Sequence, residues 1–442
     1  MPRVRSLACA VFLGAAATTL TAADWPGFRG PNRDGVSTET GLLKQWPKDG
    51  PKQVWTVKNL GLGWGTPSVA DGVVYGVGTR DGKDGVWALK EADGSELWFT
   101  KYADPATGLG PQTNGPASTP TIHKGKVYTV SGNGTLSCLD AKTGTAVWSK
   151  SYTKDFGSSG AGKGGVTWAY TESVLADGDK IICLPAAKGA AIAALKANTG
   201  EVVWKADLGT ATGGHGYSSA VKATVNDVPM YVALLGQTAG VVGVHAETGK
   251  LLWQYKGVGS TGGVAQIPIP IVKGDKVWVS CSYNPPGAGS ALLQLVPKGK
   301  DAFDVKVVKT YEKKEANNHH GGMVLVGDHI YFGHNQNDGN PTCVDMKTGE
   351  IKWGPEKNPA GGAGSAAVLY ADGRLYFRYQ SATMVLIEPS PDALKVVSSF
   401  KLPAPSQQRY AQSWPHPVIA NGKLYIRDQE VMYCYDVKAQ GN

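Results

Sequence analysis

At 442 residues, 42% hydrophobic and 18% charged, with 59 Gly and 26 Pro, the chain is globular and rich in turns. It is too hydrophobic for a disordered chain and has no collagen period. Lys and Arg outnumber Asp and Glu by 44 to 36, a balance of +8 spread along the chain, so the Lys/Arg stripe with interleaved aromatics that a nucleic-acid groove requires is missing.

The opening "MPRVRSLACAVFLGAAATTLTAADW" has the parts of a secretory signal. Arg3 and Arg5 supply the positive start, Leu7 to Leu20 an apolar run, and Thr21-Ala22-Ala23 the small residues for cleavage before Asp24. That run is short for a membrane span, and Cys9 lies too early, with the wrong flanks, for a lipoprotein cysteine. The expectation is residues 1–23 as a signal peptide, export to the periplasm or outside the cell, and no transmembrane segment after cleavage. Residues 24–51 then form an N-terminal extension. Five cysteines remain beyond the leader, Cys138, Cys183, Cys281, Cys343 and Cys434. None is adjacent to another, and no CxxC or CxxCH occurs, which excludes a covalently attached c-type haem and the usual zinc spacings. An odd number leaves at least one thiol out of any disulfide, and their positions on strands predict burial.

From residue 52 the chain repeats one unit. Short β-like runs end at Tyr75, Tyr128, Ile182, Tyr231, Trp278, Tyr331, Tyr376 and Tyr425, spaced by 53, 54, 49, 47, 53, 45 and 49 residues. Most follow a tight-turn pair such as Asp71-Gly72, Asp372-Gly373 or Asn421-Gly422, and so close a β-hairpin. A second hairpin follows in "ALKEADGSELW", "CLDAKTGTAVW", "ALKANTGEVVW", "GVHAETGKLLW" and "CVDMKTGEIKW", each with a Gly four residues before the Trp. The Gly supplies a positive φ, and the Trp face is free to pack on a neighbouring unit. The copies at 292–311 and 385–400 lack the Trp. Four strands in roughly fifty residues mark a propeller blade. The last unit stops at "CYDVKAQGN", short of its outer strand, and "KQVWTV" (52–57) supplies the missing strand from the other end. The fold expected is all-β: one eight-bladed β-propeller over 52–440, closed by the N-terminal strand joining the last blade.

The pattern A-x-D-x-x-T-G-x-x-x-W resembles the tryptophan-docking repeat of the PQQ-like (quinoprotein-type) β-propellers, over nearly all of 52–440. That superfamily includes PQQ-dependent alcohol dehydrogenases and non-catalytic BamB-like outer-membrane assembly lipoproteins. The leader "DWPGFRGPNRDGVS" (24–37) also resembles the segment preceding such propellers in secreted members.

In a propeller, loops entering the innermost strands converge at one mouth of the channel. Counting back 11 and 12 residues from each hairpin landmark gives Gly63-Trp64, Pro116-Ala117, Tyr170-Thr171, Ser219-Ala220, Gln266-Ile267, His319-His320, Gly364-Ser365 and Ser413-Trp414. Extra residues in the fourth unit make His215 and Tyr217 the alternatives there. The expected ring is Trp64, Trp168, Tyr170, Gln266, His319, His320 and Trp414, with Tyr217 and His416 beside it. Aromatic faces with a few amides and imidazoles suit a small, flat, polar ligand. His319 and His320, in "NNHHGG", are also the candidate metal ligands, suited to softer divalent ions, although adjacent side chains on a strand point opposite ways.

The resemblance implies that a PQQ dehydrogenase would add calcium, a catalytic Asp and a vicinal cysteine pair. No such pair occurs here, and none of the sixteen landmark positions is Asp or Glu; Glu172 is the nearest. Calcium needs several oxygen ligands, usually including carboxylates. "NQNDGN" (335–340) lacks the length and closing Glu of an EF-hand, "GSSGAGKGG" (157–165) lacks the phosphate-loop order, and "SYTK" (151–154) has no catalytic partners. The residues therefore favour a secreted, non-catalytic binding or scaffold module with protein or small-ligand partners. The alternatives are a PQQ-dependent alcohol or sugar dehydrogenase with a divergent site, using PQQ and a divalent metal, and a BamB-like assembly factor.

Overall fold

The computed structural model of the chain describes residues 23–107, 115–161, 168–209, 217–235, 239–259, 266–282, 289–312, 314–403 and 413–440. The expected signal peptide, apart from Ala23, lies outside these residues, as does His215. Eight sheets follow one another as blades at 68–103, 121–151, 175–206, 221–255, 271–311, 323–353, 366–401 and 418–436. Each is an antiparallel meander, as the paired hairpins predict. The eighth blade takes its outer strand, Lys52–Val57, from the N-terminal side, with Trp55 opposite Cys434. The ring closes as expected.

The Gly-x-x-x-Trp repeat works through a β-bulge. Register slips at the residue before each Trp: Val54, Leu97, Val147, Val203, Leu252 and Lys352. The bulge bends the outer strand and swings the indole toward the next blade. There Trp55, Trp98, Trp148, Trp204 and Trp353 donate from Nε1 to the carbonyls of Glu91, Ala141, Ala197, Ala246 and Ser390, at 2.8–3.3 Å. Four of the rings lie on the next blade's turn Gly. A Cβ on Gly94, at φ +75°, would approach the Trp55 ring to 3.1 Å, so the residue both turns the chain and clears the seat. Trp253 departs from the pattern, its Nε1 lying 3.3 Å from Met230 Sδ.

The two units without Trp have substitutes. In the fifth blade the buried Tyr311 hydroxyl donates to the Gly349 carbonyl of the sixth. In the seventh, Phe400 packs edge-on against Trp46 of the N-terminal extension, with centroids 4.9 Å apart, and on Tyr435 of the eighth blade at 5.5 Å.

The extension is part of the domain rather than a preface to it. Trp25 bridges Val69 of the first blade, and the Pro26 carbonyl accepts the Ile122 N–H of the second. Arg33 donates to the Ser173 and Val174 carbonyls of the third at 2.6 and 2.8 Å. Phe28 packs on the core shared by the fourth and fifth blades. Arg29 donates to the Met323 carbonyl of the sixth. Val36–Ser37 adds a parallel strand to the seventh, and Ser37 Oγ donates to Ile419 of the eighth at 3.2 Å. Residues 25–37 therefore touch every blade and fill the channel below its mouth. All five cysteines of the propeller are buried, and none forms a disulfide.

Candidate functional site at the channel mouth

Above this plug lies a cavity of ≈ 620 Å³, within the size range of small-molecule sites. Its walls follow a two-residue alternation. Residues eleven and nine before the hairpin landmark face it: Trp64 and Thr66, Ala117 and Thr119, Thr171 and Ser173, Trp414 and His416. In the fourth blade a longer hairpin shifts both positions by three, to Tyr217 and Ser219; Ile267 and His320 represent the fifth and sixth blades. Trp168, His319, Gln336, Asn337 and Gln380 complete the rim, and Phe28 from the plug completes the lining.

This alternation separates the expected ring into two groups. Trp64, Trp168, His319, His320 and Trp414 are brought together, along with Tyr217 and His416. Tyr170 and Gln266 are not. Both stand twelve before the landmark, and an extended chain turns that position away from the face shown by the eleventh and ninth. Tyr170 is fully buried, hydrogen-bonded to Ser158 and edge-on to Tyr152 at 5.2 Å, while Gln266 is fully buried beside the lining Ile267. His319 escapes the rule because the chain at 319–321 is a bend rather than a strand. The two imidazoles consequently share the cavity, with centroids 3.7 Å apart, instead of pointing opposite ways. Phe28, Thr66, Thr119, Ser173 and Gln380 were not among the expected residues. The ninth-position hydroxyls were recoverable from the period; Phe28 carries no periodic signal.

Contacts fix the protonation of the histidines. His416 Nδ1 lies 3.4 Å from Arg29 Nη1, which can only donate, and its Nε2 lies 3.1 Å from the His320 carbonyl, which can only accept. His416 is therefore neutral, with its proton on Nε2. Burial, reinforced by Arg29, lowers its pKa to about 3. His320 stacks on Trp414 at 4.2 Å and directs Nδ1 toward Ser365 Oγ at 3.4 Å. The Ser365 hydroxyl donates to Gln336, so His320 Nδ1 carries the proton and Nε2 is an acceptor. Burial and the neighbouring His319 and His416 hold His320 well below its ordinary range. Burial lowers His319 to about 4, partly opposed by a hydrogen bond with the Gln336 backbone.

No carboxylate lines the cavity, and the segments 108–114, 162–167, 210–216, 236–238, 260–265, 283–288 and 404–412 contain no Asp or Glu. Glu172 is turned into the blade. Its carboxylate accepts from the Tyr152 hydroxyl and from Leu184 N at 2.8–2.9 Å, and burial raises its pKa to about 7.

The family model described as outer membrane protein assembly factor BamB matches residues 32–159 and 107–355. Among solved structures, a europium-containing methanol dehydrogenase is 13% identical with a TM-score of 0.62, covering 91% of this chain and 89% of its own. BamB from Moraxella catarrhalis is 13% identical at TM-score 0.56, covering 88% and 98%. A quinohemoprotein alcohol dehydrogenase from Pseudomonas putida HK5 is 14% identical at 0.57, covering 95% and 81%. At such identities the likeness is one of fold. No curated protein sequence matches the chain.

PQQ with a divalent ion can be tested against these residues. A hard cation would need carboxylate oxygens, and the cavity offers none. Among the described residues no group of three His, Cys, Asp or Glu could hold a metal. Among the described residues His319 and His320 have no such third ligand. The described residues do not fit a metal-held quinone.

Proposed function

The chain belongs to the β-propeller family described as outer membrane protein assembly factor BamB, and from that premise we propose that it is a non-catalytic binding module taking a small, flat, polar ligand at the channel mouth. One observation carries the reading: tryptophan faces and neutral imidazoles surround a cavity whose described lining has no carboxylate or other charged side chain. Aromatic walls with a few fixed polar groups are the chemistry of small-molecule recognition. Oxidation of an alcohol would require a base and a polarising centre, roles for which the lining has no carboxylate. Lumichrome, a flat neutral heterocycle, is the probe. Saturable quenching of tryptophan fluorescence, lost in Trp414→Ala, is expected. Linear quenching, unchanged in that variant, would overturn the cavity reading. Dye reduction by purified protein supplied with PQQ, calcium and a primary alcohol would overturn the non-catalytic one.

A second reading, a scaffold for other proteins, is favoured by aliphatic side chains exposed on outer strands. Val54, Leu97, Val147, Val203, Val307 and Val396 are each more than 40% exposed, on edges that present unpaired backbone. Co-sedimentation with outer membranes, abolished by Val147→Lys with Val203→Lys, is expected; sedimentation indifferent to the charges would sink it. Both readings assume export. The leader composition supports export, and no helix among the described residues is long and apolar enough to cross a membrane. N-terminal sequencing of the periplasmic or secreted protein should begin at Asp24.

A further inference from the structure

The two tiers of the cavity differ in hydrogen-bonding sense. In the lower tier, Thr66 Oγ1 accepts the His416 N–H at 2.9 Å, Ser173 Oγ accepts the Thr119 N–H at 2.9 Å, and Ser219 Oγ accepts the Ser173 N–H at 2.9 Å. Each bond ties one blade to the next. Each also uses an oxygen lone pair and leaves the hydroxyl hydrogen uncommitted among the described residues. The floor therefore aims three donors inward, from the first, third and fourth blades. At the rim the sense is mixed. His320 offers the Nε2 lone pair, while Gln380 accepts the Trp414 N–H at 3.2 Å through Oε1 and keeps its NH₂ as a donor.

Among the described residues no charged side chain lines the cavity. The Arg29 guanidinium lies behind the lining His416, with Nη1 3.4 Å from its Nδ1, and donates from Nη2 to the Asp34 carbonyl. A charged ligand would lose its hydration without gaining a counter-charge. The described lining suits a neutral ligand that covers tryptophan rings and carries both donors and acceptors at two heights. Within the class of small, flat, polar ligands, a planar heterocycle fits the aromatic walls but has its polar atoms in one plane and reaches only one tier. A sugar ring meets the whole set: its C–H face covers an indole, and hydroxyls above and below the ring are donor and acceptor at once.

We propose that the cavity binds a neutral saccharide, stacked on Trp64, Trp168 or Trp414 and hydrogen-bonded to Thr66, Ser173 and Ser219 below. This rests on the reading of the cavity as a ligand site. It involves binding alone, with no bond made or broken.

The test is calorimetric titration of the full propeller with maltotriose, cellotriose, xylotriose and chitotriose, and with trigalacturonate as the charged comparison. Lumichrome quenching is measured in parallel. At least one neutral trisaccharide should bind and displace lumichrome. Ser173→Ala should weaken that saccharide about tenfold, the loss of one or two neutral hydrogen bonds, and should weaken lumichrome, which makes no required contact with the lower tier, by less. Lumichrome binding with no neutral saccharide binding at millimolar concentration overturns the proposal and leaves the cavity reading standing. Preference for trigalacturonate does the same. Failure of lumichrome and of every saccharide overturns both.

Discussion

Arg29 and His416, 387 residues apart in the chain, meet beneath the cavity with Nη1 and Nδ1 3.4 Å apart. The guanidinium also reaches the carbonyls of Asp34, Met323 and Val368. It links the plug to the sixth, seventh and eighth blades at one point, and through His416 Nε2 it holds the His320 backbone. Arg29→Met keeps the stem but leaves these buried acceptors unpaired. A loss of about 3 kcal/mol or more is expected in denaturant unfolding, with weaker lumichrome quenching.

Gly322 marks the closest approach of the sixth blade to that pair. Its φ is +66°, and a Cβ there would stand 1.9 Å from Arg29 Nη1 and 2.8 Å from His416 Cε1. Gly322→Ala should therefore cost more than the ordinary penalty for a positive φ. Soluble yield and the midpoint of thermal unfolding should both fall, and more than for Gly72→Ala, which also has a positive φ but open space around it.

The mouth histidines make the fold acid-sensitive. His319 and His416 are held neutral, at about 4 and about 3, against an ordinary 6.5. Between pH 6.5 and 4 the unfolded chain takes up protons that the folded chain refuses, so stability falls as pH falls. His416→Gln, which removes one of these groups, should flatten that slope in urea unfolding measured across the window. A slope identical to the parent protein would show that His416 takes up its proton equally in the folded and unfolded states.

Glu172 works in the opposite sense. Its carboxyl is raised from 4.5 to about 7 by burial, so the folded state binds the extra proton. Its contribution favours folding below pH 4.5 and is lost as pH rises toward 7. Glu172→Gln keeps the shape without the charge. It should stabilise the protein at pH 8 by up to about 3 kcal/mol relative to its effect at pH 4, read as the difference between two denaturant titrations.

Trp55 seals the ring. It is 8% exposed and donates to the Glu91 carbonyl at 3.0 Å. Trp55→Ala should cost about 3–5 kcal/mol. The equivalent change at Trp148 removes a similar contact within the continuous part of the ring. Hydrogen exchange should then rise in both the first and the eighth blades for Trp55→Ala, and only around the second and third for Trp148→Ala.

The blade count, the closing strand and the tryptophan seats were legible because each unit repeats its own physics: a turn glycine, a bulge and an indole at fixed spacing. Tyr311 and Trp46 were not legible as substitutes, since one is a different residue type and the other comes from outside the repeat. At the cavity the spacing located the right segment of each blade but not the right face. Trp64 and Trp414 fell on the eleventh position, Tyr170 and Gln266 on the twelfth, and only the observed alternation separates them. The plug was hidden for another reason. Arg29 and Arg33 hydrogen-bond to backbone carbonyls of blades 140 to 339 residues away, and no local pattern encodes such partners.

The closing strand has a consequence for how the protein is made. Lys52–Val57 leaves the ribosome before any other meander strand of the eight blades, yet its partner, Val431–Asp436, follows only after seven blades have been synthesised. Until then the early strand has an open edge, and the first blade lacks the indole that covers Gly94. So non-local a pairing forms slowly, and a nascent chain with seven finished blades is still an open arc with two adhesive ends. Synthesis of Val431–Asp436 and locking of the ring are thus one event. A chain stopped short of Val431 would carry both unsealed edges, which a proteolytic or chaperone surveillance system can detect without reading anything else about the protein.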